Sequence, residues 1–269
     1  MKILIITLRK YIYITLFLVD RILGNKNKLV VFSYHSISKN KNFYSVPETD
    51  FKKQIKQILK TYKPISLVDL NNYFTRKKEI AQPSFILTFD DGYRDVLKVK
   101  SFINAFGIKP SIFVLSDSKK IRRDVLKNNS ELLTIKDIKD LIRTGWEIGS
   151  HSATHTLLTG LKESELKKEV LESKKILEKL LSIKVKYFAY PKGKYSKQVL
   201  SSVKRADYNL ALSMDDELIN KYSDKFKIPR VGVNGTHSLS EFKTLASPTV
   251  IKFRKLAKQM IGGIYEQAT

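Results

Sequence analysis

The stretch Phe85-Ile86-Leu87-Thr88-Phe89-Asp90-Asp91-Gly92 decides how the rest of the chain is read. Its apolar run lacks the polar alternation of a half-exposed strand, so it predicts a buried strand of a parallel sheet. The run stops at two carboxylates and a glycine. Sheets of this kind place their chemistry at the carboxyl ends of the strands, and that is where Asp90 and Asp91 fall.

Outward from this strand, short apolar runs predict others over 29–33, 111–115, 146–149, 186–190, 208–212 and 227–231. Helical periodicity predicts helices over 48–61, 67–77, 93–106, 134–144, 161–181 and 197–206, with a basic, helical tail at 251–269. Thr134 suits the N-cap of its helix, and Gly145 falls just past the end. Along 161–181, Leu166, Val170, Leu177 and Leu181 share one face and Glu163 lies a turn before Lys167, so this helix reads as scaffold. Strands alternating with helices, with no internal repeat, predict an α/β fold, a barrel or an open sheet, in one domain over 25–250.

The 269 residues are 42% hydrophobic and 28% charged, enough for a full core. With no cysteine there is neither a disulfide framework nor a thiolate metal site, so any metal must be held by imidazole and carboxylate. The formal charge of +24 suits an anionic partner such as phospholipid or an acidic glycan, although a Lys-, Ile- and Asn-rich composition arises from base bias alone. Nucleic acid is not an expected partner, since no zinc-finger spacing, stacking-aromatic motif or compact basic recognition helix is present.

Residues 1–24 predict an amphipathic helix. Arg9 and Lys10 interrupt its apolar residues and leave only Tyr11 to Val19 uncharged, too short a stretch to span a bilayer. On a helical wheel Lys2, Arg9, Lys10, Asp20 and Arg21 fall within an arc of roughly 120°. The expectation is a peripheral membrane helix on an anionic surface, with packing against the domain or an uncleaved signal anchor as alternatives. No small-x-small cleavage pattern follows it. A polar linker, Asn25 to Lys28, leads into the domain.

The second motif, His151-Ser152-Ala153-Thr154-His155, contains half of the chain's four histidines. Its four-residue spacing brings both imidazoles to one side of a helical turn or tight loop. Alone this is weak evidence, but the pair follows a predicted strand, as Asp90-Asp91 does. Both motifs therefore meet at one end of the sheet, where an Asp and two His make three protein ligands. Adjacent carboxylates repel and divide labour, one on the metal and one as general base on water. Asp-Asp-Gly also reads as a turn or helix cap, which is compatible with catalysis.

Together Thr88-Phe89-Asp90-Asp91-Gly92, His151-Ser152-Ala153-Thr154-His155 and Phe188-Ala189-Tyr190-Pro191-Lys192-Gly193 resemble, in order, three motifs of the polysaccharide deacetylases, carbohydrate esterase family 4. The resemblance spans residues 29 to 245. It implies a distorted (β/α) barrel and metal-dependent removal of N-acetyl groups from an amino-sugar glycan or lipid-linked saccharide. By position, Asp90 would be the general base, and Asp91, His151 and His155 would bind the metal, zinc by preference with Co2+ or Ni2+ as substitutes. The backbone N–H of Lys192 would help bind the oxyanion. Tyr190 and Pro191 are candidates for contact with the sugar, as is Tyr34, whereas Trp146 reads as core. Ala189 stands where many members have an arginine that orients the catalytic Asp, and Lys192 replaces an aromatic. Arg230, in Ile228-Pro229-Arg230-Val231, is the candidate to replace that cation. For the general acid, His35 in Tyr34-His35-Ser36-Ile37 resembles the Tyr-His motif of the poly-N-acetylglucosamine deacetylase branch, and His237 is the alternative. An esterase or deformylase on a related saccharide, or an inactive glycan- or membrane-binding chain, are the rival readings.

Overall fold

The computed structural model describes residues 2–39, 43–80, 83–117 and 131–267, with side chains described from 6 to 260. Eight strands form one sheet: β1 (Leu29–Tyr34), β2 (Lys63–Pro64), β3 (Ser84–Phe89), β4 (Ser111–Val114), β5 (Glu147–Ser150), β6 (Tyr187–Ala189), β7 (Leu210–Leu212) and β8 (Val231–Gly232). Their order is β7-β6-β5-β4-β3-β1-β8 with β2 beside β3, and each pairing is parallel. The ring closes through one irregular segment. Ile228 bridges to Leu212 of β7, while Val231 and Gly232 pair with Phe32 and Ser33 of β1. The strand expected over 227–231 is regular only at its end, because Pro229 has no N–H to give a ladder. The result is a distorted (β/α) barrel.

The helices are α1 (Lys2–Ile22), α2 (Glu48–Ile58), α3 (Leu67–Phe74), α4 (Leu97–Ala105), α5 (Ile135–Arg143), α6 (Glu163–Leu166), α7 (Ser173–Leu181), α8 (Lys197–Arg205), α9 (Leu239–Phe242) and α10 (Pro248–Gln267). Alternate strand residues face two apolar clusters. Val30, Phe32, Phe85, Leu87, Phe89, Ile112, Ile148 and Phe188 pack with side chains of the outer helices. Leu29, Val31, Ile86, Phe113, Leu210 and Leu212 pack with Leu67 and Leu70 of α3. β3 is buried along its whole length, which is why its sequence shows no alternation. A Cβ on Gly149 would lie 2.3 Å from the Phe113 ring, so that strand position admits only glycine.

Thr134 caps α5 in a reciprocal capping box with Asp137. The helix expected over 93–106 opens instead with a 3₁₀ turn, Arg94–Val96, before α4. The scaffold helix of 161–181 is continuous but not regular: Lys167–Glu172 form a π-helical segment between α6 and α7. Its wider turn lets the Val170 carbonyl accept the Tyr208 hydroxyl, at 3.1 Å. Nor is α10 a free tail, since Val250 and Ile251 are buried and Arg254 Nε reaches Asp216 Oδ1 at 3.0 Å.

The N-terminal helix packs on the domain, against α9 and α10. Two of the charges expected on its outward polar face, Arg9 and Asp20, turn inward. Arg9 donates to Glu241 at 2.9 Å, and buried Asp20 accepts the Thr249 N–H at 2.8 Å, capping the start of α10.

Candidate metal centre and its surroundings

Register brings the motifs together. Tyr34 pairs with Phe89, so β1 and β3 end at one level and His35 emerges beside Asp90, whose N–H donates to Tyr34 O at 2.9 Å. On the next strands Val114 pairs with Ser150, and the His151 N–H donates to Val114 O at 2.8 Å. Ser150 in turn pairs with Phe188, which brings the turn after β6 to the same mouth.

Asp91, His151 and His155 are all buried, and one ligand atom from each lies within 4.8 Å of the others. The two Nε2 atoms stand 3.4 Å (His151) and 3.3 Å (His155) from the same oxygen, Asp91 Oδ1, yet that oxygen accepts no hydrogen bond. A buried carboxylate oxygen without a donor is costly unless a cation takes it, so this donor set fits a divalent ion. Orientation supports the same reading: His151 Nδ1 lies 2.8 Å from Ala189 O, and an N–H donated there leaves Nε2 with its lone pair toward Asp91. Burial would raise the Asp91 carboxyl, but His151 and His155 outweigh it and hold it far below its ordinary value. The His155 imidazole, chiefly through burial, is pushed down to about 4 and is a neutral ligand at physiological pH. For His151 burial works in the same direction, but Asp90 and Asp91 overcome it and raise its proton affinity.

Asp90 is held differently. Arg230 Nη1 meets Oδ1 at 2.7 Å and Nη2 meets Oδ2 at 2.8 Å, a two-pronged grip with both side chains buried. The guanidinium is itself fixed by Ser213 O at 3.2 Å and Thr88 Oγ1 at 3.3 Å, and it lies over the Phe113 ring. Ser33 Oγ adds a third donor to Asp90 at 3.3 Å. Burial would raise the Asp90 carboxyl, but Arg230 and then His151 outweigh it, so Asp90 stays an anion.

His35 is half-buried at the mouth, edge-on to Tyr44 at 5.6 Å between ring centroids. His237 sits elsewhere, in the turn after β8 where Asn234 N–H donates to its Nδ1 at 3.2 Å and Arg9 holds neighbouring Thr236. Lys192 adopts a left-handed conformation (φ 56°, ψ 12°) in the turn after β6. That turn is closed by the Gly193 and Lys194 N–H groups, so neither bond uses the Lys192 N–H. Three expected sugar contacts are corrected. Tyr190 and Pro191 are buried, with the Tyr190 hydroxyl donating to Phe226 O at 2.9 Å, and buried Tyr34 donates to Gln54 at 2.9 Å, so none presents a free face. Trp146, just before β5, stacks on Phe89 in the core, as expected.

One residue escaped the sequence reading. Glu169, on the π-helical segment, accepts the backbone N–H groups of Ala153 and Thr154 on Oε2, both at 3.0 Å, and the Thr154 hydroxyl on Oε1 at 2.8 Å. It thus braces the loop that carries both histidines, in which Ser152 (φ 71°) and His155 (φ 62°) are left-handed. The available signal was weak: an acid on a helix that follows the His-x-x-x-His loop.

A protein-family profile described as polysaccharide deacetylase matches residues 77–211. YxkH of Bacillus subtilis is 25% identical over 217 residues, covering 80% of this chain and 75% of its own. The poly-beta-1,6-N-acetyl-D-glucosamine N-deacetylase of Staphylococcus aureus is 24% identical over 212 residues, covering 74% of this chain and 71% of its own. In fold the chain is similar to the Streptococcus pyogenes deacetylase PplD, with a TM-score of 0.71 at 20% identity, covering 82% of this chain and 99% of that one.

Proposed function

We propose, since this chain belongs to the polysaccharide deacetylase family, that it removes N-acetyl groups from an amino-sugar glycan by amide hydrolysis at the mouth of the barrel. The observation that carries the reading is the shared focus of Asp91, His151 and His155 on one unsatisfied carboxylate oxygen, with ionised Asp90 next in sequence. Asp91, His151 and His155 would hold a divalent metal, zinc by the chemistry of imidazole and carboxylate donors. The chemistry such an ion supplies when bound is Lewis acidity toward water and the amide carbonyl.

The chain's own groups do the rest. Asp90, fixed by Arg230, takes a proton from the attacking water as the new C–O bond forms. Arg230 is a positioning residue that fills the role of the cation missing at Ala189. The Lys192 N–H, unused within its own turn, donates to the oxygen that becomes negative in the tetrahedral intermediate. His35 delivers a proton to the leaving nitrogen as the C–N bond breaks, yielding acetate and a free amine. What supports catalysis over an inactive homologue is Arg230, whose grip on Asp90 compensates the altered third motif.

The S. aureus relative's name makes N-acetylglucosamine oligomers the first substrate to try, with lipid-linked saccharides next. Wild type should release acetate and free amine in equal amounts, lose activity to a chelator and regain it with Zn2+. Asp90→Asn should keep the metal and lose turnover. Formate released from a formylated saccharide, with no acetate from any acetylated one, would replace this reading with a deformylase. A purified chain that never retains a divalent ion would leave the inactive alternative.

A further inference from the structure

Helix α1 packs Ile12, Tyr13 and Leu16 on the core, yet it also turns two charges toward the domain. Its inner face carries charge: Arg9 bonds Glu241 and Thr236, Asp20 bonds Thr249 and Ser247, and Tyr13, 2% exposed, lies between them against Phe253. Its outer face carries none. Leu8, Tyr11, Leu18, Val19 and Ile22 are 58%, 64%, 48%, 40% and 84% exposed, and with exposed Thr15 they form one stripe. On a helical wheel these six fall within an arc of about 100°. Leu23 continues the stripe past the helix end, and α10, packed beside α1, exposes Leu256 and Met260. A contiguous exposed apolar stripe is a contact surface by default.

Charge identifies what it contacts. Among the described residues of α1 and the linker after it, the accessible charges apart from Arg9 are Lys10, Arg21, Lys26 and Lys28, all basic, while the one acid, Asp20, is buried. A second copy of the chain would bring another +24 against this surface, an electrostatic penalty that anionic lipid turns into attraction. No helix among the described residues is long and apolar enough to cross a membrane. We propose that α1 docks the protein flat on an anionic lipid surface. Leu8, Tyr11, Leu18, Val19 and Ile22 enter the boundary between headgroups and acyl chains, and Lys10, Arg21, Lys26 and Lys28 meet lipid phosphates. The inward Arg9 and Asp20 hold the stripe in place, so the docking face is prebuilt on the folded domain.

The test is co-sedimentation of the full chain with vesicles of phosphatidylcholine alone or of equimolar phosphatidylcholine and phosphatidylglycerol. Wild type should prefer the anionic vesicles by about tenfold or more, with the preference falling as salt rises. Leu18→Ser/Ile22→Ser should cut binding to anionic vesicles by about tenfold while leaving thermal unfolding and hydrolysis of a soluble oligomer unchanged. Lys10→Glu/Arg21→Glu should abolish the anionic preference. Equal or absent binding to both vesicles, or full binding by the Leu18/Ile22 variant, overturns the proposal. So does a solution dimer that the same variant dissociates, which would give the stripe to a second copy.

Discussion

Replacing Glu169 should weaken metal binding without touching a metal donor. Its carboxylate receives two backbone N–H groups and one hydroxyl from the loop between His151 and His155. A hydrogen bond to a charged acceptor contributes about 1.5–3 kcal/mol, against about 0.5–1.5 for a neutral pair. Glu169→Gln can turn its carbonyl oxygen to the two N–H groups and its amide to the Thr154 hydroxyl oxygen. The geometry survives, and only charge assistance is lost, about 1 kcal/mol per N–H bond. Glu169→Ala leaves both N–H groups without a protein acceptor, at about 1–3 kcal/mol each where water does not replace it. Part of that cost falls on the left-handed Ser152 and His155, whose conformation aims the second imidazole at Asp91. The expected outcome is a metal dissociation constant raised about tenfold in Gln and about a hundredfold in Ala. Competition with a chromophoric chelator, using Zn2+ and Co2+, measures it, with thermal unfolding of the metal-free proteins alongside. An Ala variant that folds and binds metal as tightly as wild type would refute the bracing argument.

Four further outcomes are expected. Arg230→Lys keeps a charge but not the two-pronged grip, so turnover should fall at least about tenfold with metal content unchanged. Arg230→Ala strands a buried carboxylate at about 3–5 kcal/mol, and the acid limb of kcat/KM should move to higher pH because the cation that holds Asp90 low is gone; an unmoved limb rejects the pairing. His35→Gln should slow the chemical step by about 10²–10⁴-fold, whereas His237→Gln should cost only stability, and the reverse ranking would transfer the acid role to His237. Asp20 is held below its ordinary value because hydrogen bonds from Ser247 and Thr249 outweigh burial, so its contribution is present above the unfolded carboxylate pKa and lost as pH falls through the folded one. Asp20→Asn should therefore lower Tm near neutral pH by an amount worth about 1 kcal/mol, a gap that narrows as pH falls below the unfolded carboxylate pKa; a gap independent of pH would show that the charge is irrelevant.

Much of the barrel was legible because burial on both faces leaves a mark on composition. β1, β3, β4, β5 and β6 fall within a residue or two of the apolar runs that predict them. The closing segment was less so, since Pro229 interrupts the ladder and Arg230 spends its side chain on Asp90 rather than on the core. The π-helical segment was invisible, because a π turn in an otherwise periodic helix changes which residue faces the loop without changing composition. The left-handed residues were hidden for a related reason: Asp91, Ser152, His155 and Lys192 carry positive φ without being glycine, a conformation imposed by the surrounding loops rather than by propensity.

By itself the sequence determined the donor types, their order and the strand ends that carry them: cysteine is absent, only four histidines exist, and predicted strands end beside Asp90 and His151. Tertiary structure alone decided which acid braces the loop between His151 and His155, which carbonyl orients His151, and which face of α1 meets the domain. Each is a contact between segments far apart in the chain. Local pattern encodes how a residue sits on its own helix or strand, whereas its partner is chosen by sheet register and by the packing of one layer on another.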